Sequence, residues 1–179
     1  MTLDDIIVSA LEQVECNPVS RANDKYAAQF RQYANEAVMD IADSFRLFHT
    51  DTVTVTGNTF DIQDLSRPCT KIMSIAQGGK PIAFDDGDSS GEILVGCDGD
   101  VTVKYRYVPI DMSSDSDRPD IPEYLHRLIV LYVIARYRSG GDASVQGAAG
   151  IFYSVYNEQK RKMMRHSGAP ENYKLKNIY

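Results

Sequence analysis

A run of eight apolar residues, 128–135, constrains the fold of this chain more than any other feature. Pro122 precedes the run and suits the first turn of a helix, and Gly140-Gly141 follows it. A helix that is apolar on every face must be surrounded by other elements, so we expect this segment to be the central helix of a bundle. A bilayer span needs about 20 apolar residues, so the run is too short to cross a membrane.

Three further segments repeat apolar residues at helical spacing. These are residues 3–14, a segment from Ser20 or Asn23 to about Phe48, and the helix that Asp142 caps. Thr2 and Asp5 form a capping pair for the first of them. With the central helix, expected to end near Ser139, the pattern predicts about four helices in two hairpins.

Between residues 51 and 109 the apolar period changes from helical to alternating, which is typical of strands. The predicted strands are residues 52–56, 59–62, 70–76, 81–84, 92–95 and 101–108. Gly57-Asn58 suits a tight turn between the first two. We therefore expect a small antiparallel β module.

The predicted fold class is α+β, a helical bundle of about four helices (two hairpins) with this β module inserted. Residues 1–50 and 110–166 form the predicted helical body, and residues 51–109 the insertion. The two ends of an inserted module usually lie close together. A polar connector, residues 110–122, returns the chain to the helices, and residues 167–179 are predicted to be a C-terminal arm.

No catalytic or metal-binding motif is complete. Glu123 and His126 have the Glu-x-x-His spacing, but a di-iron bundle needs two such pairs and two further glutamates. The aspartate-rich loops at 85–88 and 115–117 lack the ligand register of a calcium loop. The three cysteines show no metal-binding spacing. We therefore expect no enzymatic activity, no cofactor and no metal.

The net charge of −6 is unevenly distributed. Residues 160–179 carry +5, which leaves −11 on the other 159 residues, and so acidic a body argues against nonspecific DNA binding. The basic end is either a solvated helix face or an arm for an acidic partner. The predicted partner-contacting residues of the arm are Tyr173, Lys174, Leu175, Lys176, Ile178 and Tyr179.

The last helix contains a strip of small residues. Gly147 and Gly150 each cost about 1 kcal/mol relative to alanine inside a helix, which makes sense if another helix, of the same chain or of another copy, approaches closely. The predicted subunit-packing residues are Gly147, Gly150, Phe152 and Tyr156.

The two C-terminal helices resemble those of a known family. The pattern consists of residues 121–137, a Gly-Asp pair, and then Ala-x-x-Phe-x-x-x-Tyr-x-x-x-Lys ending at Lys160. It is similar to the pattern of the head-to-tail adaptor (neck connector) proteins of tailed bacteriophages. The order of parts is also similar, although many members are smaller and wholly helical. The resemblance implies a structural virion protein of the neck, made in the host cytoplasm.

That resemblance also implies partners. It implies a homo-oligomeric ring, a dodecamer, below the portal protein, with a tail or stopper protein docking on it and DNA passing through during genome ejection. No membrane is involved. Twelve copies at −6 each would carry about −72, which would let DNA slide without specific binding. The alternatives are another phage assembly or tail-completion protein, or a small cytoplasmic ligand-binding protein or enzyme with an unrecognised site.

Overall fold

The computed structural model describes residues 1–15, 24–86, 91–139 and 143–167. In chain order its elements are α1 Leu3–Glu15, α2 Asp24–Phe45, β1 Phe48–Val55, β2 Thr59–Asp61, β3 Cys69–Gln77, β4 Lys80–Ile82, β5 Phe84–Asp86, β6 Glu92–Val95, β7 Gly99–Tyr107, α3 His126–Ser139 and α4 Ala143–Ser167. Short 3-10 turns occupy Ile62–Asp64 and Glu123–Leu125. The described residues thus form four α-helices and two antiparallel sheets, which confirms the predicted α+β fold class.

The apolar helix α3 lies at the centre of the helical body, as its sequence predicted. It packs against α1, α2 and α4. Because its neighbours cover several sides, its buried residues are not confined to one stripe; they are His126, Leu128, Ile129, Val130, Val133, Ile134 and Ala135. None of the described helices is both long enough and apolar enough to cross a membrane.

The start of α1 is capped twice. The Thr2 hydroxyl accepts from the Asp5 amide at 3.2 Å, and the Asp5 carboxylate accepts from the Thr2 amide at 2.8 Å, which confirms the capping pair. In addition, the amide of Leu3 donates to the carbonyl of Asp117 at 2.8 Å, and that of Asp4 to the carbonyl of Asp115 at 3.0 Å. The connector is therefore hydrogen-bonded to the helical body.

Helix α2 ends at Phe45, three residues before its predicted end. Arg46 adopts a left-handed conformation with φ +51°, and its amide donates to the carbonyl of Asp43 at 3.1 Å. The amide of Leu47 donates to Ala42 at 3.1 Å, so the two bonds form a Schellman cap. The cap redirects the chain, and β1 begins at Phe48, earlier than predicted.

The β module is a two-layer structure. Sheet A has the strand order β1-β7-β3-β4 and sheet B the order β2-β6-β5, with every pair antiparallel. Alternate residues of both sheets point inward and share one hydrophobic core that includes Val53, Phe60, Ile75, Ile93, Val95, Val103 and Tyr105.

Gly57 and Asn58 form the predicted turn, with φ of +67° and +66°. The strands that flank it do not form a hairpin ladder, because only the bridge between Thr56 and Thr59 joins them. β1 pairs instead with β7, and β2 with β6. The turn therefore carries the chain from sheet A to sheet B.

The helical body and the β module have separate cores. Leu47 is partly buried and packs against both of them. Phe48, where the chain enters the module, pairs with Arg106 near its exit, so the two ends of the module are neighbours on adjacent strands.

Candidate functional site

One face of α4 remains uncovered by the other described residues. Ile151 is 65% exposed and Val155 is 37% exposed, and Gly150 and Ser154 are exposed beside them. The Ser154 hydroxyl donates to the Gly150 carbonyl at 2.8 Å, so this hydroxyl is already satisfied within the helix. These four residues form what we call the α4 outer strip, a largely apolar surface with small side chains.

The opposite face of α4 holds the helix against its own chain. Tyr156 is 2% exposed, and its hydroxyl donates to the carboxylate of Asp40 on α2. Its ring lies edge-on to Tyr132 of α3 at a centroid distance of 5.4 Å. Phe152 is partly buried against the helical core. Of the predicted subunit-packing residues, Phe152 and Tyr156 therefore contact their own chain, and Gly150 is exposed.

Two groups of predicted site residues lie wholly or partly outside the described part of the chain. Gly147 lies within α4, but its surroundings are outside the described residues. The arm residues Tyr173, Lys174, Leu175, Lys176, Ile178 and Tyr179 also lie outside the described residues.

The last described turns of α4 are basic. Arg161 and Lys162 are exposed, and Lys162 forms an ion pair with Glu158 at 2.7 Å. Lys160 contacts Asp40 with Nζ 2.8 Å from Oδ2. The exposed face of α4 is thus apolar at the strip and charged towards its C-terminal end.

A polar cluster lies where the β module meets the connector, and we call it the junction cluster. Asp51 accepts hydrogen bonds from the Tyr105 hydroxyl at 2.6 Å and from the Ser66 amide and hydroxyl at 2.8 Å each. His49 Nε2 lies 3.2 Å from Asp51. Burial opposes ionisation of Asp51, but these hydrogen bonds outweigh it and lower its pKa. Burial, together with donation to Asp51, raises the pKa of Tyr105.

The rest of the junction cluster reaches the connector. Arg67 forms an ion pair with Asp120 at 2.7 Å and lies over the Tyr107 ring, 4.5 Å from its centroid. The Tyr107 hydroxyl donates to the Asp120 carbonyl at 2.9 Å. Burial raises the pKa of Asp120 despite the cation beside it. These bonds join the β module to the connector.

The chemistry of the junction cluster is that of a structural clamp. A serine nucleophile would donate its hydroxyl to a histidine base, whereas the Ser66 hydroxyl donates to Asp51. Beside the cluster a cleft of about 250 Å³ separates the end of α2 from sheet A. Its lining is mixed: Met39, Ala42, Asp43, Arg46, Leu47, Thr70, Arg106, Tyr107, Val108 and Pro109.

Glu123 and His126 do not converge on a metal position. His126 is buried, and its Nε2 donates to the Ile121 carbonyl at 3.1 Å, while Nδ1 lies 3.2 Å from the backbone nitrogen of Met1. Desolvation lowers the pKa of His126. The Glu123 side chain is exposed. In the described ranges no group of three or more His, Cys, Asp and Glu side chains is arranged to hold a metal ion.

Sequence reasoning missed the junction cluster. Its members come from residues 49–51, 66–67, 105–107 and 120, and only strand pairing and the path of the connector bring them together. The alternation of β7 indicated that Tyr105 and Tyr107 share one face, but no local pattern linked that face to Asp51 or Asp120.

The fold and these surfaces suit a structural protein that binds other proteins. The features that favour this class are the exposed face of α4 and the clamp between the β module and the connector. A family model described as SU10 adaptor protein matches residues 1–173. The chain therefore belongs to the SU10 adaptor protein family, a structural family of phage head-to-tail adaptors and hence of virion components. No curated protein matches the chain.

Proposed function

We propose that this protein is the adaptor of the virion neck, forming a twelve-fold ring beneath the portal protein. The ring extends the DNA channel and provides the docking surface for the tail or the next neck protein. The observation that carries the proposal is the family match over residues 1–173. The net charge of −6 supports a channel through which DNA moves without specific binding.

The α4 outer strip supports the assembly part of the proposal. At about 1.5 Å per residue, the 25 residues of α4 form a rod roughly 37 Å long. Ile151 and Val155 on its uncovered face would be removed from water if a neighbouring copy packed there, and Gly150 would allow the backbones to approach closely. In this proposal Gly147 and Gly150 belong to the contact, while Phe152 and Tyr156 hold α4 in position.

The C-terminal arm is proposed as the portal-binding element. Its lysines Lys174 and Lys176 would meet an acidic partner surface, and Tyr173, Leu175, Ile178 and Tyr179 would fill pockets there. Truncation after His166 should leave the free energy of unfolding nearly unchanged and weaken portal binding, and raised salt should weaken binding of the intact protein. A truncated chain that unfolds several degrees earlier yet binds the portal normally would contradict this role.

Electron microscopy of the purified protein, alone, mixed with the portal protein and mixed with purified tails, tests the proposal as a whole. We expect a ring of added density on the tail-facing side of the portal, with a central opening and with rotational symmetry that can be counted. Density on purified tails but none on portals would instead favour a tail-completion protein.

A further inference from the structure

The outward face of sheet B is acidic, and that of sheet A is basic around Lys104 and Arg106 of β7, with Asp100 at the other end of the same strand face. On sheet A, Lys71, Lys104 and Arg106 are adjacent. Arg106 of β7 pairs with Phe48 of β1 on one side and with Lys71 of β3 on the other, and Lys104 pairs with Thr50 and Ser74 in the same way. We call these three cations the basic face.

The cations of the basic face are not neutralised within the chain. None of the three forms an ion pair with a carboxylate of the described residues. Lys104 lies over the Phe48 ring, with Nζ 3.8 Å from its centroid, and Phe48 itself is 53% exposed. Arg106 Nε is shielded from solvent and has no acceptor among the described residues. Lys71 and Lys104 thus carry positive charge that no carboxylate of the described residues pairs with, which suits an acidic partner, whereas Arg106 also lines the cleft at the end of α2.

Sheet B has the complementary surface. Asp61 of β2 pairs with Glu92 of β6, and Asp85 of β5 pairs with Leu94. All three carboxylate residues are exposed, and Leu94 between them is 50% exposed. The strands of sheet B contain no lysine or arginine. We call Asp61, Asp85 and Glu92 the acidic face.

We propose that the basic face of one copy packs on the acidic face of the next, so that the β module forms a head-to-tail contact between neighbours. This inference rests on the ring in the proposed function. The two faces lie on opposite sides of one shared core, so the same contact can repeat in one direction around a ring. A two-fold contact between like faces would instead place cation against cation.

The size of the acidic face indicates that each contact is weak by itself. Strands of three or four residues are roughly 10–13 Å long, and three of them are about 14 Å wide. The area that these dimensions enclose is well below the roughly 800 Å² that each partner buries in a stable complex. Ring closure gives every copy two such contacts, in addition to any contact through the α4 outer strip. Association is therefore expected to depend on protein concentration and on salt.

Charge reversal of one face at a time tests the proposal. The first variant carries Lys71→Glu and Lys104→Glu, and the second carries Asp85→Lys and Glu92→Lys. Sedimentation of each from about 10 µM to about 1 mM at low salt should show association at least about tenfold weaker than that of the wild type. An equimolar mixture should regain it, because the first variant has two acidic faces and the second has two basic ones.

A control with the same charge change as the first variant is Arg118→Glu with Arg127→Glu, at exposed positions of the connector and of α3. It should associate like the wild type. Circular dichroism verifies that every variant is folded. The proposal falls if either face variant associates normally alone, if the mixture stays dissociated, or if the wild type stays monomeric throughout.

Two further measurements separate the alternatives. If wild type and face variants all form rings on the portal, only this inference fails, whereas a wild type that forms no ring on the portal contradicts the proposed function itself. Fluorescence anisotropy with a labelled DNA duplex tests whether the basic face binds phosphate. If the first variant lost DNA binding and kept normal association, the basic face would be a nucleic-acid surface and the proposal would be overturned.

Discussion

Tyr156 on α4 donates its hydroxyl to the carboxylate of Asp40 on α2, which lies 116 positions earlier in the sequence. Lys160, one turn further along α4, contacts the same carboxylate oxygen. Burial, together with the bond to Asp40, raises the pKa of Tyr156, so the hydroxyl stays protonated and remains a donor. The bond, the packing of the Tyr156 ring on Tyr132 and the contact of Phe152 with the helical core hold one face of α4, and Ile151 and Val155 lie on the exposed face.

Tyr156→Phe should lower the free energy of unfolding by about 1–2 kcal/mol, because a hydrogen bond to a charged group is lost. Urea denaturation measures the change. Tyr124→Phe, at an exposed ring, is the matched control and should change it by less than about 0.5 kcal/mol. In a background of Asp40→Ala the Tyr156 substitution should cost clearly less; an equal cost would mean that the bond contributes nothing.

Arg46→Gly should raise the free energy of unfolding by about 0.5–1 kcal/mol. Glycine adopts φ +51° without the steric penalty that a side chain brings, and part of the gain is offset by its freer unfolded state. Arg46→Ala keeps the penalty and removes only the guanidinium. The thermal midpoint should therefore rise for the glycine variant relative to the alanine variant, and the reverse order would contradict the assigned strain.

The lowered pKa of His126 should make stability fall in mild acid. Below its ordinary value of about 6.5 the unfolded chain binds a proton that the folded chain does not. The free energy of unfolding should therefore decrease between about pH 7.5 and pH 5.5, and the loss should level off below the folded pKa. Urea midpoints across this range should slope less for His126→Gln than for the wild type; parallel profiles would disprove the assignment.

Arg67→Ala should cost roughly 2–3 kcal/mol at pH 7, because it leaves the Asp120 carboxylate largely buried without its cation. The cost should shrink near pH 4, since burial raises the pKa of Asp120 and protonation then removes the unpaired charge. A background of Asp120→Asn should reduce the cost at pH 7 in the same way. Chemical denaturation of the wild type, the two single variants and the double variant at pH 7 and pH 4 measures these costs. A cost of Arg67→Ala that did not change with pH would argue against this account.

Replacement of residues 52–108 by a short Gly/Ser linker should leave a soluble helical protein that unfolds cooperatively. The reason is that the two ends of the β module are neighbours on paired strands and that the helical body has its own core. Circular dichroism during heating provides the measurement. Loss of a cooperative transition would show that the helical body depends on the module for folding.

Periodicity predicted the elements because it is a local property. The eight apolar residues of α3 and the alternation of β7 each identify one element without knowledge of its neighbours. The end of α2 was missed because a left-handed cap is usually formed by glycine, whereas Arg46 forms it here. The separation of β1 and β2 into different sheets was missed because pairing depends on β6 and β7, which lie far along the chain.

The orientation of α4 could not be read from its sequence. Ile151 and Val155 are as apolar as Phe152 and Tyr156, so the helix presents two comparable faces. The choice between them depends on α3 and on Asp40 of α2. The charged sheet faces have a similar origin, because alternation placed Lys104 and Arg106 together but only the strand order brings Lys71 beside them.

The hydrogen bonds from the start of α1 to Asp115 and Asp117 have a consequence for the growing chain on the ribosome. The first helix leaves the exit tunnel more than a hundred residues before its capping partners and before α3, its main packing partner. The described strands of the β module all lie between residues 48 and 107, so the module can fold before α3 is available to pack against α1 and α2. The helical body is therefore completed last. Nascent chains that are still being translated lack a folded α4 and cannot yet associate through it.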